Sequence, residues 1–186
     1  MSEELIQIVV EFILGGIIIA VLGFCFQRLS WQRATKHDLQ VKNAERSHET
    51  LKFVSNLIDS RIYWTNQMIT ALKRGKDKED YETIKKGFFG TVEQWNANLN
   101  FALASLEADF SHELRLELEN DIGTKITDVA SELAVMILEG PVNEERLNTL
   151  DALVTDVRKR VLNFVIKMMN TLSEKEKKLS EFKDHT

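Results

Sequence analysis

Two kinds of hydrophobic pattern divide the chain. Residues Leu5 to Phe26 read LIQIVVEFILGGIIIAVLGFCF, with only Gln7 and Glu11 as strongly polar side chains and no basic residue. From Leu51 onward apolar residues instead recur at spacings of three and four, the period of a helix with one buried face. Four such stripes can be followed. The first passes through Leu51, Val54, Ile58, Ile62, Thr65, Ile69 and Leu72 and stops at Gly75 and the charged run 76–80. The second comprises Tyr81, Ile84, Phe88, Val92, Trp95, Leu99, Ala102, Leu106 and Phe110, and is interrupted by Gly87 and Gly90. A glycine costs a helix interior about 1 kcal/mol relative to alanine, so these two predict a close neighbouring backbone or a bend. The third runs from Leu114 through Leu118, Ile122, Ile126, Val129 and Leu133 to Met136, with a kink predicted at Gly123 and a stop at Gly140-Pro141. Asn143 is placed to cap the fourth helix, whose stripe is Leu147, Leu150, Val154, Val157, Val161, Phe164, Met168 and Leu172. Short connections between long helices force neighbours to run in opposite directions, which predicts an antiparallel four-helix bundle.

The first segment calls for a different solvent. At 1.5 Å per residue its twenty-two residues reach about 33 Å, matching the roughly 30 Å hydrocarbon core of a bilayer. A cleaved secretory signal would begin with basic residues, whereas Ser2, Glu3 and Glu4 stand here and no small-x-small cleavage site follows. Phe24 before Cys25 also departs from a lipoprotein signal. The expectation is an all-α chain with an N-terminal transmembrane anchor over residues 1–27, a juxtamembrane helical stalk over 28–50 and a cytoplasmic helical bundle over 51–186. The sparse apolar positions of the stalk predict a solvated helix or loose linker, capped weakly if Thr35 and Asp38 pair.

Flanking charge sets the expected orientation. No basic residue precedes the segment, while Arg28, Arg33 and Lys36 follow it with Trp31 among them as an interface anchor. The N-terminus is therefore expected outside and the remaining chain in the cytoplasm, at the inner membrane of the cell. That remainder carries all 24 basic residues and all but three of the 29 acidic ones, a near balance that argues against general nucleic-acid binding. Its basic edge favours anionic lipid by about 1 kcal/mol per charge. One proline and eight glycines supply too few chain breakers for a β-sandwich or barrel, and one cysteine excludes an intramolecular disulfide framework.

Candidate chemistry is scarce, and no cofactor, metal or catalytic residue is expected. His37, His48, His112 and His185 are scattered, and no phosphate loop, nucleophile elbow or HExxH element occurs. Glu45-x-x-His48 and Asp109-x-x-His112 resemble halves of a di-iron signature, but such a site needs further inward glutamates, and the stripes put apolar residues there. Arg33 and His37 stand too close for a nuclease arginine–histidine pair, and Arg46 and His48 closer still. The run Trp95-Asn96-Ala97-Asn98-Leu99-Asn100 is a poor helix sequence. With Tyr63 and Trp64 it is a candidate hydrogen-bonding site with an aromatic floor, or else a polar layer fixing helix register.

The apolar segment itself has two faces. At 100° per residue Gln7 and Glu11 share one side, and Gly16, Ala20 and Gly23 another. Small residues let helices approach closely, and a carboxyl group in hydrocarbon is costly unless it faces protein or water. Both conditions are met if identical spans pack through the small face and turn Gln7 and Glu11 toward a common axis. Two function classes follow: a non-enzymatic tethered module that assembles with itself or recruits a cytoplasmic protein, and an oligomeric membrane effector that conducts. The layout, one N-terminal span, a basic edge at Arg28 and Arg33 and a helical cytoplasmic domain, resembles the small single-span accessory proteins of RNA-targeting CRISPR systems. That resemblance implies pore formation in antiviral defence and carries over no functional residue.

Overall fold

A computed structural model describes the backbone of residues 3–75, 78–139 and 143–184; side chains of 1–23, 25, 29, 30, 32–34, 36, 37, 76–79, 139–142 and 182–186 fall outside the described residues. Among the described residues every element is helical. They are α1 (Glu3–Arg74), α2 (Lys78–Asp109), α3 (His112–Leu116), a π-helical turn (Glu117–Gly123), α4 (Thr124–Glu139) and α5 (Glu144–Asp184). The chain divides into two compact units, Met1–Lys42 with Leu179–Thr186, and Asn43–Lys178.

In the first unit, no helix among the described residues is long and apolar enough to cross a membrane. The segment read as a span has helical backbone, but its side chains up to residue 23, including Gln7, Glu11, Gly16, Ala20 and Gly23, lie outside the described residues. The cap expected at Thr35 and Asp38 does not form. Thr35 lies inside α1, and its hydroxyl donates to the Trp31 carbonyl at 2.9 Å, the bond a helix-interior threonine makes when no helix begins there.

The second unit follows the stripes closely. Ile58, Phe88, Leu118, Leu133 and Phe164 are fully buried in one core shared by all its helices, and every member of the fourth stripe is buried. Pairings across it run in opposite senses. Lys73 meets Asp151 while His48 meets Glu176, and Glu117 meets Lys167 while Asp121 meets Arg160, so α5 is antiparallel to α1 and to the π turn preceding α4. The buried face starts at Ala44, earlier than the boundary expected at Leu51, because Ser47 and Thr50 continue the period with small polar side chains.

Three local features set the helix ends and bends. Gly75 closes α1 with φ +82°, the left-handed conformation that terminates helices at little cost for glycine. Asn143 caps α5 as expected, its Oδ1 accepting from the amides of Glu145 (2.9 Å) and Arg146 (3.1 Å). The kink expected at Gly123 takes the form of the π turn, where an added Cβ would stand 2.7 Å from the Leu118 carbonyl oxygen. Gly87 answers to a side chain rather than a neighbouring backbone, since a methyl group there would overlap the Trp64 ring; Gly90 faces open space. The stop expected at Gly140-Pro141 lies outside the described residues.

Candidate functional site

The polar groups inside the bundle gather at two places. At the end of α2, Asp109 is buried and both of its carboxylate oxygens are engaged: Arg46 Nε donates at 2.9 Å and Thr50 Oγ1 at 2.7 Å. The buried Ser47 hydroxyl reaches the Asp109 carbonyl at 3.1 Å and the Asn43 carbonyl at 2.8 Å. Lys175 of α5 completes the knot, donating to Ser47 Oγ at 2.9 Å and to the Asp109 carbonyl, with its ammonium 5.3 Å from the Phe110 ring centre. Burial pushes the Lys175 ammonium below its ordinary pKa, and the Asp109 charge partly offsets that. Three helices are thus tied by charge-assisted bonds.

The second place has no such balance. Arg61 on α1 is 2% exposed, and burial pushes its guanidinium down to about 10. Its Nη1 makes long bonds to the Phe88 carbonyl (3.4 Å) and the Thr91 hydroxyl (3.5 Å), and the group stands 5.3 Å over the Phe88 ring. Its Nε has no partner, nor has Nε1 of buried Trp95, one turn beyond Thr91. Shifting a base downward by burial alone records the cost of charge in a low-dielectric interior.

The residues singled out in the sequence are placed as follows. Trp95 is buried, but Asn96 and Asn100 are exposed, and Asn98 donates to the Gln94 carbonyl of its own helix at 2.8 Å. Tyr63 is exposed and stacks edge-on against half-buried Trp64 at 5.3 Å. One and five residues beyond Trp95, the helical turn of 100° per residue carries the Asn96 and Asn100 side chains away from the buried indole. Arg28 and Trp31 are exposed, and the side chains of Arg33 and Lys36 lie outside the described residues.

No group of three or more metal-binding side chains comes together among the described residues. His48 bonds Glu176 at 2.8 Å, and His112 bonds Glu107 at 3.0 Å, both at the surface. The segments carrying the two di-iron half-signatures do meet, through Asp109 with Arg46, Ser47 and Thr50, but His48 and His112 turn to separate surface carboxylates. The hydroxyls of Ser47 and Thr50 are both spent inside the bundle, Ser47 on a backbone carbonyl and Thr50 on the Asp109 carboxylate. Arg61 and the Asp109 knot were missed in the sequence. Their signal was positional: Ala44, Ser47, Thr50, Val54, Ile58, Arg61 and Thr65 keep the three-and-four spacing irrespective of polarity. No protein-family model matches the sequence, and neither a curated protein nor a solved structure is detectably similar to it.

Proposed function

We propose that this chain is a non-enzymatic, single-pass membrane-anchored helical module that self-assembles or recruits a protein partner at the cytoplasmic membrane face. The observation that carries the reading is the segment Leu5–Phe26, apolar apart from Gln7 and Glu11, followed directly by Arg28, Trp31, Arg33 and Lys36. Phe24, Phe26 and Trp31 are 65%, 77% and 72% exposed, and a lipid environment relieves that exposure. Non-enzymatic action is favoured by the way the bundle uses its polar groups, which serve to lock helices together.

Self-assembly is tested by the mass of the full chain in mild detergent. An oligomer is expected, reduced to monomer by Gly16→Leu with Gly23→Leu; a wild-type monomer contradicts assembly. A conducting assembly is a second reading, favoured by the polar pair Gln7 and Glu11 on one side of the segment. It requires ion flux through liposomes holding the full chain, altered by Glu11→Ala, and liposomes that stay tight defeat it.

A further inference from the structure

On α5, Asp151 pairs with Lys73, Asp156 with Arg160, Arg160 with Asp121, Lys167 with Glu117 and Glu176 with His48. Arg158 takes part in no such pair. It is exposed and lines a cleft of about 360 Å³ between α5 and α1 that also holds exposed Asp59, and neither charge has an ion-pair partner among the described residues. The apolar part of that cleft has buried Ile62 and Val161 at its floor and Tyr63, Leu162 and Val165 above them. It continues along α5 through Ile166 and Met169, which follow Leu162 at spacings of four and three and so share its side of the helix. Leu162, Ile166 and Met169 are 61%, 45% and 55% exposed. Contiguous apolar surface flanked by unmatched charge marks an interaction site more often than scattered exposed leucines do.

We propose that a second copy of this chain docks on this face about a two-fold axis. The two unmatched charges are opposite in sign and border the same apolar patch, so the surface is complementary to itself. In a two-fold contact a residue that meets another is met by it in return. Arg158 of each copy then faces Asp59 of the other, around a centre of Leu162, Ile166 and Tyr63. A handful of side chains falls short of the roughly 800 Å² per partner of a free-standing complex. Tethering both copies in one membrane supplies the missing association through effective concentration, and in this the inference rests on the anchored reading.

The test uses the full chain in membrane vesicles, with Cys25→Ser removing the native thiol and Leu162→Cys placing one on the face. Mild oxidation is expected to give a disulfide-linked species of twice the chain mass. The control Ala104→Cys, at an exposed position on α2, is expected to stay monomeric. Asp59→Arg is expected to lower the linked fraction about tenfold by setting like charges together, and Arg158→Asp added to it restores the yield. Equal linking from Ala104→Cys, indifference to Asp59→Arg, failure of the double reversal to restore, or an adduct of any other mass overturns the proposal. Absence of the chain from the vesicle pellet defeats the anchored reading and, with the tether gone, this contact too, whereas a chain in the pellet that fails to link overturns the contact alone.

Discussion

Residues 5–26 and the unit Asn43–Lys178 are both helix rich in apolar side chains, and they distribute that apolarity in opposite ways. In the bundle it is confined to one stripe per helix, each stripe is spent on a common core, and polar side chains that enter the core are mostly bonded. In the N-terminal segment the sequence is apolar almost without a break, and Gln7 and Glu11 alone interrupt it. A helix apolar on every side is suited to lipid or to the centre of a large protein, whereas a striped helix is suited to a water-facing bundle. Inside the bundle a charge therefore bears on stability, whereas under the proposed anchored reading the Glu11 carboxyl bears on assembly.

The strongest way to break this contrast is Asp109→Ala. It strips the acceptor from the buried Thr50 hydroxyl and removes the charge that offsets the burial of Lys175, and is expected to cost the bundle about 2–3 kcal/mol. Glu11→Ala should leave the same unfolding transition, followed by circular dichroism in urea, unchanged. Next comes Gly87→Ala, whose methyl group must displace the Trp64 ring at a cost of about 1–2 kcal/mol by the same measurement. Gly16→Leu should shift detergent-phase mass without moving the transition. The smallest effect, and one of opposite sign, is expected from Arg61→Met. Replacing a buried, carboxylate-free guanidinium by a thioether of similar length should stabilise the bundle by about 1 kcal/mol at neutral pH.

The pH dependence of that last change has a defined direction. The folded Arg61 has its pKa lowered from its ordinary value to about 10, so above that pH the folded state holds fewer protons than the unfolded chain, until the unfolded guanidinium titrates in turn. Stability of the unsubstituted protein therefore rises with pH through that window, and the full cost of the charge is present below it. The advantage of Arg61→Met should accordingly be constant near neutrality and shrink above about pH 10. An advantage that persists unchanged well above that pKa would show that packing, not charge, separates the two.

The apolar skeleton was legible because burial of large side chains imposes a period. Leu147 to Leu172 could be listed from spacing alone, and every member of that stripe is buried. Asn143 was equally legible, since a capping side chain acts on amides two and three residues away. The Asp109 knot was not, because its members come from positions 46–50, 109 and 175, and nothing local in any of those stretches encodes the other two. Arg61 was hidden for a different reason: hydrophobic periodicity ignores a charged residue that happens to occupy a core position. In the asparagine run composition and phase carry separate information: composition singled the run out, and helical phase sets Asn96 and Asn100 at the surface and Trp95 in the core.

The central claim is that Leu5–Phe26 resides in a bilayer, and alkaline carbonate extraction of membranes from cells making the full chain tests it most directly. The account predicts that the chain stays in the membrane pellet and leaves only with detergent. Its recovery in the carbonate supernatant would contradict the account.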